Sequence, residues 1–106
     1  MKLNILERMM CIELLSFYKE GNFIIFKTIG KLRNKLFVTE DEVKEYEITN
    51  EGDTYRWNGK GNLPIEVEIS DVEKKLISDI LLKLDKENKL NVQYVSVYEK
   101  FVGEPN

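Results

Sequence analysis

A chain of 106 residues, 42% apolar and 33% charged, has the length of one domain and enough apolar content to bury a core without disulfide or metal staples. A net charge of −3 speaks against a dedicated nucleic-acid or membrane-surface binder, and a single cysteine excludes an intramolecular disulfide framework. With no histidine, the chain lacks the commonest general base and nitrogen ligand and offers no structural zinc site, so composition points away from catalysis and calls for no metal and no cofactor.

The stretch from Asn4 to Lys19 organises the rest. Between Ile5 and Tyr18 only Glu7, Arg8, Glu13 and Ser16 are polar. Apolar side chains thus cover most of a helical wheel, the pattern of a helix enclosed by neighbours on several sides. Asn4, with Glu7 three residues on, has the form of a capping box. The spacing predicts a central helix over Ile5–Tyr18, with Met9, Met10 and Cys11 as adaptable core fillers. The run is too short and too charged to span a bilayer. Only Lys2 precedes it, Glu7 and Arg8 interrupt it, and no small-residue cleavage site follows, so it does not read as an export signal. Together with the lone cysteine, this makes a cytoplasmic protein the expectation.

Gly21-Asn22 closes that helix and opens the next. Ile25, Ile29, Leu32 and Leu36 recur at helical spacing and predict a second helix over Phe23–Phe37. Its charges are Lys27, Lys31, Arg33 and Lys35, so its outer face is basic. Such a run reads first as a solvated face, and second as a patch for phosphates. Thr39 with Glu42 forms another capping box, Val38 and Val43 stand at staple positions, and three acids fill the first turn. A short third helix over roughly Glu40–Tyr46 follows.

The period then changes to alternation. Tyr46 and Ile48 alternate with Glu47 and Thr49, Asn50-Glu51-Gly52-Asp53 is turn chemistry, and Tyr55 and Trp57 alternate with Thr54 and Arg56, which predicts a hairpin. Asn58–Asn62 reads as a loop. After Pro64, Ile65, Val67 and Ile69 alternate with Glu66 and Glu68, a third strand that would complete an antiparallel meander needing a helix over its apolar face. Ser70 with Glu73 is a third capping box, starting a helix that runs to about Asn88. Its buried stripe is read as Val72, Leu76, Ile77, Ile80, Leu81 and Leu84, with Lys74, Lys75, Asp79, Lys83 and Lys86 in water. A last helix, capped by Asn91 and ended by Gly103, turns Tyr94, Tyr98 and Phe101 inward. The β-branched run Val92–Val97 leaves a strand as the other reading.

No stretch carries a catalytic signature. Cys11 lies inside the apolar helix and reads as an inert thiol. Gly59-Lys60-Gly61 joins two strands and opens no helix, so it is a turn and not a phosphate loop. Glu40, Asp41, Glu42 and Glu45 lack the spacing of a calcium loop. Three helices followed by a hairpin is the order of winged-helix proteins, which bind DNA through the third helix and the hairpin. Here Thr39–Asp53 holds seven acids (Glu40, Asp41, Glu42, Glu45, Glu47, Glu51, Asp53) against one base, Lys44, and would repel phosphates. Tyr55, Arg56 and Trp57 are residue types common at protein–protein hot spots, although an aromatic pair at alternate positions reads first as the meander's buried face.

The opening Leu6-Glu7-Arg8-Met9-Met10, then Glu20-Gly21-Asn22-Phe23 and Lys27-Thr28-Ile29-Gly30-Lys31-Leu32-Arg33, resemble small phage and prophage proteins. Leu84-Asp85-Lys86 and Tyr98-Glu99-Lys100-Phe101 add to the resemblance, which spans most of the chain and contains no catalytic motif. It implies an accessory protein of a virus or mobile element and transfers no functional residues.

The reading is therefore one α+β domain: a helical N-terminal half in winged-helix order, a three-stranded antiparallel meander and one or two C-terminal helices. The expected function is a non-enzymatic protein-interaction module, of the phage-accessory or host-modulating kind. Its acidic face carries Glu40, Asp41, Glu45 and Glu47 with Arg56 and Trp57, and takes a basic protein partner. The alternative is a nucleic-acid binder using Lys27, Lys31, Arg33 and Lys35, which the net charge disfavours. No membrane association is expected.

Overall fold

Four helices begin where a side chain satisfies the orphan amides of the first turn. Asn4, Asn22, Thr39 and Ser70 accept from the amides of Glu7, Ile25, Glu42 and Glu73, each cap worth about 1 kcal/mol. The computed structural model describes residues 1–103. In chain order these form β1 (Lys2–Leu3), α1 (Ile5–Leu15), α2 (Phe23–Leu36), α3 (Glu40–Glu45), β2 (Thr49–Glu51), β3 (Thr54–Arg56), a 3₁₀ turn (Gly59–Asn62), β4 (Ile65–Glu66), α4 (Asp71–Lys86), a second 3₁₀ turn (Val92–Tyr94) and α5 (Val95–Phe101). The C-terminal segment is thus helical and not a strand.

Helix α1 is the hub, touching α2, α4 and α5. Cys11, Leu14 and Leu15 from α1 meet Leu32 and Leu36 from α2, Ile77 and Leu81 from α4, and Val97 and Phe101 from α5 in one core. The helix is shorter than the Ile5–Tyr18 expected. It ends at Leu15, where Ser16 turns its hydroxyl back to the Glu13 carbonyl at 2.5 Å. Phe17 is exposed, and Tyr18 is held instead by donating to the Leu76 carbonyl at 2.5 Å.

The three-stranded meander is not formed. Strands β2 and β3 pair as an isolated hairpin, with Thr49 opposite Arg56 and Glu51 opposite Thr54, across a turn in which Gly52 takes φ +67. The strand after Pro64 pairs elsewhere: β4 runs antiparallel to β1, with Lys2 opposite Glu66 and Leu3 opposite Ile65. The N-terminal ammonium clamps this pair, donating to Glu66 Oε1 at 2.8 Å and to the Val67 carbonyl at 3.0 Å. The 3₁₀ turn at Gly59–Asn62 redirects the chain between the two sheets. Only Ile65–Glu66 is strand, although the alternation persists, with Val67 buried and Glu66 and Glu68 exposed.

A second correction concerns α4. Val72 is 65% exposed and lies outside the buried stripe, whose N-terminal inward position belongs to Glu73. Ile77, Ile80, Leu81 and Leu84 complete that stripe, while Leu76 is half-buried. The order of three helices and a hairpin is present. However, α3 buries none of its residues, and the hairpin joins no other strand among the described residues. The radius of gyration, 14.1 Å, exceeds the roughly 13 Å of a compact chain this long, consistent with a hairpin standing off the core.

Candidate functional site

Three ion-pair clusters, each with a buried charge at its centre, connect the elements among the described residues, and all use one device. In each capping box the glutamate at the third helical position also binds a cation from another helix. Glu7 at the start of α1 accepts from the Asn4 amide, from Ser96 Oγ and from Lys100 Nζ of α5 at 2.7 Å. Glu73 at the start of α4 accepts from the Ser70 amide at 3.0 Å and from Lys35 Nζ of α2 at 2.8 Å. Glu42 at the start of α3 accepts from the Thr39 amide at 2.9 Å and takes a two-pronged bond from Arg8 of α1 at 2.7 and 3.0 Å.

Arg8 is 2% exposed and does more than pair with Glu42. Its Nε donates to the Leu36 carbonyl at 2.8 Å and its Nη2 to the Phe37 carbonyl at 2.9 Å. These carbonyls lie at the C-terminal end of α2, where a cation favours the helix dipole. One side chain thus pins the end of α2 and the start of α3 to α1. Sequence reasoning took Glu7 and Arg8 as polar interruptions of an apolar helix. Only the capping-box spacing marked Glu7, and nothing local marked Arg8.

The carboxyls respond to these surroundings. The Arg8 guanidinium, with the Thr39 amide, outweighs burial and holds Glu42 below the usual carboxylate range. Burial pushes Glu7 up, but hydrogen bonds from Lys100, Ser96 and Asn4 win and leave it lowered. Glu73 is likewise raised by burial and brought lower by Lys35 and Ser70. Burial lifts the Cys11 thiol to about 12, which leaves it protonated and unreactive at neutral pH. Among the described residues, no buried side-chain nitrogen or oxygen lacks a partner. No group of three His, Cys, Asp or Glu residues there is placed to hold a metal ion.

The predicted interaction residues fall into one held segment. From Glu40 through Arg56 no residue is buried. Glu40, Asp41 and Glu45 lie on α3, and Glu47, with φ +51, turns the chain toward the hairpin. Asn58 ties the returning strand to the end of α3, donating from its amide to the Tyr46 carbonyl at 2.8 Å and from Nδ2 to the Glu45 carbonyl at 3.0 Å. Arg56 is exposed and reaches Glu51 at 3.9 Å. Tyr55 is 42% exposed, so the hairpin has no covered aromatic face. Trp57 differs from both: it is half-buried, donates from Nε1 to Asn62 Oδ1 at 3.2 Å and packs over Gly61. A Cβ on Gly61 would lie 2.6 Å from Trp57 and 2.8 Å from Ile5, so the bare glycine lets both side chains meet there. Trp57 therefore anchors the base of the hairpin against α1.

The basic candidates divide. Lys35 is taken up by Glu73. Lys27, Lys31 and Arg33 are exposed and make no ion pair among the described residues. The basic helix and the acidic segment thus do not neutralise each other within the chain. No helix among the described residues is long and apolar enough to cross a membrane. No family model, no curated protein and no solved structure matches this chain.

Proposed function

We propose that this chain is a protein-interaction module, of the accessory kind that its resemblance to phage and prophage proteins implies. Its contact surface is the acidic segment from α3 through the hairpin, and its partner is a basic protein surface. The observation that carries this reading is that Glu40–Arg56 contributes no buried residue and is nevertheless held in place. The Arg8–Glu42 clamp fixes one end and the Asn58 bonds fix the other. Order that the core does not use, in a segment rich in exposed acids, lowers the cost of binding an external partner. Exposed Tyr55 and Arg56 supply the anchor types such contacts favour. Trp57 is committed to the fold and lies outside the surface.

The test is fluorescence anisotropy with a labelled oligolysine peptide. The variant Glu40→Lys/Asp41→Lys/Glu45→Lys is compared with Glu68→Lys/Glu87→Lys/Glu99→Lys, which makes the same change in net charge at exposed acids elsewhere. The first should weaken binding at least about tenfold, or about 1.4 kcal/mol, while circular dichroism stays unchanged; the second should change it little. Equal loss in both would mean that only net charge matters and would end the proposal.

A further inference from the structure

Helix α2 carries a second unexplained surface. Of the five phenylalanines, Phe17, Phe23, Phe26 and Phe37 are exposed, and Phe23 is 78% exposed. Three of these four lie on α2 or its C-cap. The helix buries Ile29, Leu32 and Leu36. Phe26, Gly30, Arg33 and Phe37, at i, i+4, i+7 and i+11, form a column on another face. Gly30 stands in the middle of that column. It has no positive φ, and a Cβ there would meet nothing within 4 Å. A mid-helix glycine costs about 0.5–1 kcal/mol relative to alanine, and no contact within the described chain accounts for it. Around it lies a shallow groove of about 390 Å³, lined by Ile12, Gly30, Arg33, Asn34 and Phe37. Bare backbone between exposed aromatics admits a closely approaching segment.

The charges specify that segment. Helix α2 contains no acid, and its cations without an ion pair among the described residues are Lys27, Lys31 and Arg33. An occupant must therefore combine apolar side chains with negative charge. The chain presents such a surface itself: the exposed acids of α3 and the hairpin, with Val43 and Tyr55 exposed among them. That segment cannot fold back onto its own α2, because Arg8 locks the start of α3 to the end of α2. We infer that the α2 groove takes the acidic segment of a second copy of this chain. The inference rests on the acidic segment being a contact surface and names its basic partner. It joins two different faces, so it closes as a reciprocal pair or propagates head to tail. Pairing two α2 faces symmetrically would oppose like charges, and a phosphate backbone on α2 would meet the acids that follow α2 directly.

Sedimentation velocity on the full chain tests this at rising concentration, in about 50 mM and about 500 mM salt, across which the Debye length shrinks severalfold. At low salt the wild type should sediment as species of at least twice its 12.5 kDa mass, and at high salt as the monomer. Gly30→Gln removes a helix-breaking residue at an open position and fills the groove. It should melt at or above the wild-type temperature yet lower the association constant at least tenfold. Glu40→Lys/Asp41→Lys/Glu45→Lys should be monomeric as well. Mixed, these two variants should regain a 1:1 pair, since one keeps its acidic segment and the other its groove. A wild type that stays monomeric at both salts overturns the inference and leaves the oligolysine result standing, so the two failures are separable. Association untouched by Gly30→Gln overturns it too. So does a monomer that binds a DNA oligonucleotide and loses it on Gly30→Gln, which would assign the groove to phosphates.

Discussion

Replacing Arg8 by Met removes the guanidinium while keeping an apolar stem in the core. It leaves the Leu36 and Phe37 carbonyls and the Glu42 carboxylate without their donor. Removing one partner of a buried pair costs about 3–5 kcal/mol. Glu42 keeps its Thr39 amide and has 14% side-chain exposure, so the lower end, about 3 kcal/mol, applies here. Domains of this size have roughly 5–15 kcal/mol in total, so the variant should fold but weakly. With a urea m-value of about 1.5 kcal/mol/M, the midpoint should fall by about 2 M. Adding Glu42→Gln removes the stranded charge and should recover about 1 kcal/mol, the sign of coupling in a double-mutant cycle. Oligolysine binding should also weaken in Arg8→Met, although no surface acid has changed, because α3 has lost its pin. A midpoint within about 0.3 M of wild type, or about 0.5 kcal/mol at that m-value, would refute the clamp, since it falls far short of the expected loss.

Acid should destabilise the fold through the three capping-box carboxylates. Each has a folded pKa below its ordinary value of 4.5. Their stabilisation is therefore complete above that value and is lost as pH falls through the lower folded values. Urea midpoints should decline below about pH 4.5, more shallowly in Glu7→Gln, and a profile flat to pH 3 would contradict the ion pairs. Cys11, buried and with its pKa pushed up to about 12, should resist thiol reagents at pH 8 until the chain is unfolded; rapid native labelling would show that the helix opens. Gly61→Ala places a Cβ 2.6 Å from Trp57 Cδ1, and overpacking of this kind costs about 1–3 kcal/mol. Because Trp57 is the only tryptophan, its emission maximum should shift, and unchanged emission with unchanged stability would mean that the contact is not held in solution.

Much of the fold was legible because it is local chemistry. Asn4, Thr39 and Ser70 with their glutamates marked the starts of α1, α3 and α4, since a cap and its target amide lie three residues apart. Gly52 marked the hairpin turn because few other residues take positive φ cheaply. The separation of a basic second helix from an acidic third helix and hairpin was equally visible, because charge can be read along the chain. The candidate acids followed from it.

The remaining features depended on which distant groups meet. The capping-box glutamates were visible from spacing, but their cations lie far away in the chain: Lys100 for Glu7, Arg8 for Glu42 and Lys35 for Glu73. Alternation identified Ile65–Ile69 as strand-like yet did not choose its partner; two residues at the N-terminus, too few to show a period, took that place. Periodicity picked out the inward face of α2, Ile25, Ile29, Leu32 and Leu36, but did not say that Phe23, Phe26 and Phe37 would be left outside. A helix with apolar side chains on several faces does not reveal which face its neighbours will cover. Local periodicity and capping are set within a few residues, so the sequence by itself determined the helices, the hairpin and the charge segregation. Long-range pairing depends on how separate elements compete for one core, so only the tertiary structure decided the Arg8 clamp, the strand partners and the aromatic groove left open on α2.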